Sequence, residues 1–565
     1  MRTAAALCAA GCLLATLALA GPAGAASDLR FPPRQDRPPA GHVRTALQVL
    51  AIADQVPKVR AILPHHPGYS RTAYLKGPDR WQVSWFDREV KRKPRKEVAQ
   101  VIVDDRTGAV LEAWTGFQVA WTMARGYPGA FGRKSNALYV WIPLCVLFLV
   151  PFVDPRRPFR LLHLDLLVLL GFSASLAFFN HGQIGVSVPL AYPFLGYLLI
   201  RLLLAARPRA RPPDPVRLLV PASWLAVALL FMVGFRVGLN VVNSNVIDVG
   251  YAGVIGADRL VAGQDLYGRF PSDNEHGDTY GPVNYIAYVP FEQAFPWSGH
   301  WDDLPAAHAA TVFFDLLCLG LLFLLGRRIR GPTLGIALAY AWAAYPFTLF
   351  ALCSNSNDTL VAALVLGAFA VATSAPARGA MAALAGLTKF APLALAPLLA
   401  TYAGPAQAAR RESRRRRAGR VAPFLAGFLA VGGLVMVPVF LQGDLKLFWD
   451  RTLGFQETRG SPFSVYGLVG GLGALQAAVK VGAIALAVAV AFVPRRRDLV
   501  TLAALGGAVL VAVQLGVTHW FYLYLVWFFP LAMIALLGRR LEDRPASGRV
   551  GRARAEARSS QPVAA

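Results

Sequence analysis

Twelve apolar blocks govern what this chain can fold into, near residues 136–153, 160–180, 183–204, 217–239, 306–326, 333–353, 358–374, 379–403, 421–441, 474–493, 499–518 and 520–538. Most are long enough to cross about 30 Å of hydrocarbon at about 1.5 Å per residue of helix. A water-soluble core shows shorter stripes, apolar at every third or fourth residue of a helix or every second residue of a strand; unbroken runs of this length leave no polar face for water. The 565 residues are 55% hydrophobic and only 16% charged, which agrees. The expectation is a polytopic α-helical membrane protein with roughly 11–13 membrane segments.

A formal charge of +25 could suggest a nucleic-acid partner, but the arginines cluster in short runs between apolar blocks. That is the positive-inside pattern of a membrane protein, so no nucleic acid is expected. Five cysteines, at 8, 12, 145, 318 and 353, lie in or beside apolar runs and form no CxxC pair, so neither a disulfide framework nor a cysteine metal site is indicated.

Residues 1–26 combine Arg2, an alanine and leucine core and the small-residue end Ala23-Gly24-Ala25, which reads as a secretory signal peptide. An uncleaved anchor is the alternative, and either leaves the following segment outside. Residues 27–130 are polar, with a helix-like run near 42–63 and strand-like runs from Trp81 ("WQVSWF") and Glu97 ("EVAQVIVDD") joined by the basic "REVKRKPRK". A small α+β extracytoplasmic domain is expected there. Its end, "VDDRTGAVLEAWTG", with a turn at Thr107-Gly108, resembles a PepSY-type repeat.

The basic runs also set topology. "DPRRPFR" from Asp154, "RPRARPPDPVR" from Arg207, "RRIR" from Arg327, "PRRRD" from Pro494 and the tail from Arg539 should all be cytoplasmic. Simple alternation fails at Arg410–Arg420, whose seven arginines would emerge outside if 379–403 crossed once. That block carries Lys389 at its centre and Pro392 three residues later, and proline breaks the helical ladder and disfavours helix just before it. Two half-helices meeting at Lys389, as a re-entrant hairpin or as short helices beside a water-filled cavity, restore the count. The multi-spanning domain is then 136–540, followed by a basic, disordered cytoplasmic tail at 541–565. Its outer side collects 240–303, 354–358, the Lys389 break, 442–473 and the boundary at His519-Trp520.

These outer segments hold the candidate site. Asp248 lies shortly past an apolar block, with Tyr251 three residues on, on the same face of a short helix; simple solvation of a loop is the alternative. Lys389 would sit at membrane depth, where a charge costs about 2.5–3.5 kcal/mol on insertion scales, which makes it a functional candidate unless it snorkels to the interface. Arg459 in "QETRGSPFS" could equally be a solvated arginine, and His519 beside Trp520 part of an interfacial aromatic belt. Asp358, in "SNSND", would open a helix, where a capping role and a binding role are compatible. The run "DNEHGD" (273–278) lacks the ligand spacing of a metal loop and reads as a solvated acidic loop. No metal ligand is assigned and no cofactor is required, although a divalent metal stays open.

The stretch "DVGYAGVIGADRLVAGQDLYG", followed by "DTYGPVNYIAYVPFEQAFP", resembles the first outer loop of GT-C glycosyltransferases, and most closely the polyprenyl-phosphate-mannose-dependent mannosyltransferases of glycosyltransferase family 87. In that family a D-x-x-x-Y pattern, an A-x-x-x-x-x-G-x-x-x-Y pattern and a tyrosine-proline segment recur. Here Tyr251 follows Asp248 one residue sooner. The likeness continues through "SNSNDTLVAALVL", through "LAGLTKFAPLALAPLL", where Lys389 and Pro392 match, and through "FWDRTLGFQETRGSPFSVYG" and "VTHWFYLYLVWFFPL". It covers about 243–531.

The resemblance implies a GT-C-like membrane enzyme that moves a sugar, most commonly mannose, from a polyprenyl-phosphate donor to a glycolipid or glycan acceptor of the cell envelope, at the outer face of a bacterial plasma membrane. Asp248 would be the general base, and Lys389 the phosphate-binding cation, with Arg459 and His519 beside it. Tyr251, Tyr280, Asn355, Asn357, Asp358 and Trp520 would be donor- or acceptor-binding candidates. No nucleotide-binding glycine loop is present, as expected when the donor is lipid-linked. A transporter or flippase is the main alternative, since broken helices with an intramembrane lysine also mark carriers, but no internal repeat is apparent. A membrane sensor built around the N-terminal domain is the other.

Overall fold

The computed structural model describes residues 29–88, 96–126, 129–207, 215–403, 414–494 and 497–541. The signal segment 1–26, most of the basic stretch after Asp87, Arg410 and Arg411, and the tail beyond Leu541 lie outside the described residues. The chain divides into two compact units: the residues up to Arg125 together with Ser298–Asp303, and the remainder.

The first unit is a five-stranded antiparallel meander, β1 (Leu29–Arg30), β2 (Ser70–Lys76), β3 (Arg80–Phe86), β4 (Glu97–Asp104) and β5 (Val110–Thr115), in the spatial order 1-2-3-4-5. Two helices precede β2, namely α1 (Ala46–Asp54) and α2 (Pro57–Ile62). The single helical run read from the sequence is split because Pro57 starts a new helix at its first turn. A Thr45–Gln48 capping box opens α1. Alternation puts Trp81, Val83 and Trp85 opposite Val103, Val101 and Ala99, and this face packs with Val49, Ala53 and Val59 of the helices into one core. The expected turn between β4 and β5 is there: Asp104 Oδ1 accepts from the backbone N–H and the hydroxyl of Thr107, both at 2.7 Å, and Gly108 takes the left-handed φ of +73°.

In the second unit every apolar block is helical. Among its helices are α3 (Leu138–Leu149), α4 (Leu161–Asn180), α5 (Ile184–Ala206), α6 (Ala222–Val242), α7 (Asp248–Val261), α8 (Pro305–Arg330), α9 (Pro332–Ala344), α10 (Pro346–Cys353), α11 (Asp358–Ala370), α12 (Ala375–Gly386), α13 (Ala396–Ala400), α14 (Arg414–Val435), α15 (Gly473–Ala489), α16 (Leu499–Gly516) and α17 (Leu525–Leu537). Among the described residues α4, α5, α6, α8 and α16 are each long and apolar enough to cross a membrane, and six shorter apolar helices accompany them. This is a polytopic helical membrane protein with a small N-terminal sheet domain.

Two of the breaks within blocks bear on the site. The 379–403 block parts at Lys389 as expected: α12 stops at Gly386, and a 3-10 turn at Ala391–Leu395 leads into α13. The 333–353 block, read as one crossing, is instead α9 and α10 bent by 60°. Tyr345 between them is extended (φ −71°, ψ 122°), the conformation that a following proline imposes, and Pro346 starts α10. Its ring stacks on Phe529 at 4.0 Å and its hydroxyl donates to the Leu169 carbonyl, so the bend is packed rather than loose.

Buried ion pairs hold the bundle together. Arg236 of α6 meets Asp315 of α8 through two bonds, of 3.2 and 2.5 Å, and Nη1 donates to the Ala343 carbonyl and to Thr348 on either side of the bend. Trp342 Nε1 gives Asp315 a further donor at 2.8 Å. Asp165 of α4 likewise accepts from Arg201 Nε at 2.7 Å and from the Tyr197 hydroxyl at 2.8 Å. Removing one member of such a pair strands the other charge in low dielectric, typically at a cost of about 3–5 kcal/mol. Asp315→Ala is expected to lower the thermal unfolding midpoint in detergent markedly, and Arg236→Met/Asp315→Leu to recover much of the loss. A single variant as stable as the wild type would show that the pair is not holding the helices.

Candidate functional site

The site is assembled by backbone docking at two interruptions. Between α10 and α11 the turn Ser354–Asn357 exposes carbonyls that no helix uses, and the residues before α7 take them: Asn245 N–H donates to Cys353 O and Ile247 N–H to Ser354 O, each at 3.2 Å. The approach is close enough that a Cβ on Gly250 would lie 2.1 Å from the Asn355 carbonyl. Asn355, itself at φ +50°, accepts from Asn240 at 2.8 Å and donates to Ser244 Oγ and Asn245 O. Asp248 is thereby fixed as the first residue of α7.

The second docking is at the Lys389 break. Gly281 N–H donates to Thr388 O and Val283 N–H to Leu387 O, and a Cβ on Gly281 would lie 2.0 Å from the Leu387 carbonyl. This seats Tyr280 beside Lys389. Lys389 Nζ donates to Asp358 Oδ1 at 2.6 Å and lies 5.3–5.5 Å from the ring centres of Tyr280, Tyr524 and Trp527. Trp527 Nε1 donates to the same Asp358 oxygen at 2.9 Å, while Oδ2 has no hydrogen-bond partner among the described residues. Lys389 therefore neither snorkels nor stands alone: it is neutralised by a fully buried carboxylate and enclosed by aromatic faces. Asp358 opens α11 as its first residue, and its carboxylate serves the lysine rather than capping the helix.

These side chains border a cavity of about 500 Å³. Its walls come from Tyr280, from Lys389 to Ala394, from the segment Trp449–Arg459, from Lys480, and from Val513 to Trp527. His519 lines it, with Nδ1 2.9 Å from Ser461 Oγ and its ring edge-on to Phe463. Arg459 lines it too, half-buried, with the guanidinium 5.5 Å from the Phe455 ring. Asp248 is not part of the lining, but its carboxylate is within electrostatic reach of Arg459 and Lys389. Asp248 is exposed to solvent, and the protein packed around it pushes its acidity constant above the usual aspartate value, against the opposing pull of the Val249 N–H and the two cations.

Other expected residues lie elsewhere. Tyr251 is buried in an apolar cluster with Val254, Tyr288 and Phe314; its ring is edge-on to Trp297 and its hydroxyl is 3.3 Å from Asp273. Asn355 and Asn357 are wholly buried, the latter bonded to Asn284 at 2.7 Å. Trp520 donates to Gln514 and packs among Phe172 and Tyr522. These residues position the site and do not line it. The "DNEHGD" run is not simply solvated: Asp278 is buried, accepts from Gly268 N–H at 2.7 Å and pairs with Arg451 at 3.4 Å, tying this loop to the cavity wall. Among the described residues no group of three or more His, Cys, Asp or Glu side chains converges as a metal site.

Sequence reasoning missed Lys480, Tyr524 and Trp527. A lone lysine inside the apolar run "LQAAVKVGAIALAV" was the available signal for the first; the aromatic pair is indistinguishable from its apolar neighbours until Asp358 is placed.

No protein-family model and no curated protein matches the chain. Among solved structures, the crystal structure of ArnT from Cupriavidus metallidurans bound to undecaprenyl phosphate aligns at 16% identity and a TM-score of 0.35, over 60% of this chain and 64% of that one. The aligned part thus falls just short of two thirds of ArnT.

The docked glycines give a direct check on the assembly. Gly281→Ala forces a backbone carbonyl to move and is expected to destabilise by about 1–3 kcal/mol, as overpacking does. Gly433→Ala, where a Cβ would meet nothing within 4 Å, should be neutral or mildly stabilising. Equal thermal midpoints for both variants would mean that residues 281–283 are not held on the Lys389 break.

Proposed function

We propose that this chain is a GT-C-type glycosyltransferase that takes a sugar from a polyprenyl-phosphate donor and places it on a cell-envelope glycolipid or glycan, with mannose as the first sugar to test. The observation that carries this reading is that Lys389, Arg459 and His519, from three separate stretches, line one cavity, with the Asp248 carboxylate outside the lining but within electrostatic reach of Arg459 and Lys389. A carboxylate opposed by cations is the pairing that such a transfer needs. About 500 Å³ lies within the range of small-molecule sites.

In this mechanism Asp248 accepts the proton of an acceptor hydroxyl as its oxygen bonds to the anomeric carbon and the bond from that carbon to the phosphate oxygen breaks. The leaving phosphate gains charge, which Arg459 and the Lys389 side of the cavity stabilise, with His519 as a hydrogen-bonding neighbour. Tyr280 and Trp527 offer aromatic faces to the sugar or the lipid. The site and the N-terminal unit would lie on the extracytoplasmic side of a bacterial plasma membrane. The N-terminal unit, read as PepSY-like from its helix, strand, turn and strand, would guide the acceptor or a partner.

Transfer of radiolabelled mannose from polyprenyl-phosphate-mannose, in membranes with matched expression and acceptors supplied, tests this. Asp248→Asn is expected to lower the rate by about 10²–10⁴. In the wild type the acid limb of kcat/KM should lie above the ordinary aspartate value of about 3.9, because a base with a raised acidity constant loses its charge at a higher pH. Undiminished transfer by the variant removes Asp248 from the mechanism. A wild type inactive with every lipid-linked sugar, yet moving polyprenyl phosphate across vesicles, would establish the flippase alternative instead.

A further inference from the structure

Lys389 is a poor first contact for an incoming anion, because Asp358 already neutralises it at 2.6 Å and three rings surround it. The cavity holds another lysine in a different condition. Lys480 lies about two turns into α15, lines the cavity, and has no ion-pair partner among the described residues.

Its setting is unusual for a surface lysine. α15 is apolar, buries only Ala483 and Ala487, and leaves Ala477, Val481 and Ile484 exposed, as a helix facing lipid does. A charge midway along such a helix is expensive unless it reaches water or a counter-ion. One turn before it, Gln476 Nε2 donates at 3.0 Å to both Gly516 O and Thr518 Oγ1, fixing the helix face beside His519. Gly516 lets the lysine stem approach α16: a Cβ there would lie 3.1 Å from Lys480 Cγ. The apolar part of the cavity lining includes Ala391, Ala394, Val513 and Val517, and its polar part Glu457 and Arg459. One cation beside an apolar wall matches an amphiphile with an anionic head and a hydrocarbon tail.

We infer that Lys480 binds the phosphate of the lipid-linked donor directly, together with Arg459, while Lys389 stays in its pair with Asp358. This rests on the reading of the cavity as a polyprenyl-phosphate site.

The test compares binding of undecaprenyl phosphate and of undecaprenol to the full-length protein in detergent, by native mass spectrometry, for the wild type, Lys480→Met and Lys480→Arg. Lys480→Met should weaken binding of the phosphate lipid about tenfold or more, leave the uncharged polyprenol unchanged, and be largely rescued by arginine. In transfer assays it should raise the KM for the donor with little change in kcat. Equal affinity of Lys480→Met and wild type for the phosphate lipid overturns the inference, as does equal weakening for both lipids, which would mark a packing role. Transfer by the wild type with Lys480→Met unaffected removes only this residue. Lysine-dependent phosphate binding without transfer of any sugar keeps it and removes the transferase.

Discussion

Backbone polar groups cannot be left unpaired in apolar surroundings, and this chain interrupts its apolar helices at Ser354–Asn357 and at Lys389. Each interruption frees carbonyls, and the segment between α6 and α8 supplies the N–H groups that satisfy them. Cys353 and Ser354 receive Asn245 and Ile247; Leu387 and Thr388 receive Val283 and Gly281. Glycine at 250 and 281 is what lets two backbones come within reach. One constraint therefore fixes both Asp248, at the head of α7, and Tyr280, beside Lys389, with no side chain needing to find its place independently.

The charges follow from the same breaks. A lysine at a helix interruption away from bulk water needs a counter-charge, and Asp358, at the head of α11 just after the other interruption, is near enough to supply it. Trp527 holds the shared oxygen in place, which raises the geometric quality that a buried pair needs if it is not to destabilise. The result is a locally neutral floor. Anion affinity in the cavity then has to come from cations outside this pair, and Arg459 and Lys480 stand on different walls.

Much of this was legible from residue type and position. The twelve blocks, the break at Lys389 and the strands from Trp81 and Glu97 are properties of runs and prolines, which local sequence records. Lys389 reads from the sequence as out of place and Asp358 as a helix-opening residue that could cap or bind, but their pairing is not legible, because nothing periodic links two residues on separate helices. The bend at Tyr345 had its proline in view; a run of unbroken hydropathy hid it. Tyr251 and Asn355 read as binding candidates from the sequence because polarity next to a membrane looks alike whether it faces a cavity or ties a loop. Arg236 and Asp315 went unremarked for the converse reason, since each sits singly in a long apolar helix.

Asp248 gathers these constraints in one atom group. As the first residue of α7 it faces unpaired N–H groups and accepts from Val249, which favours the charged form, and Arg459 and Lys389 pull the same way. Enclosure by the protein opposes all three and prevails in direction. A carboxylate in water is too weak a base to help a sugar hydroxyl, and one buried without compensation would be protonated and useless. The surrounding protein raises its basicity while Arg459 and Lys389 favour the charged form, and those cations face the cavity where a leaving phosphate would gain its charge. The docked loop sets both halves of that balance, so basicity at Asp248 and cation placement in the cavity should change together when the loop is displaced.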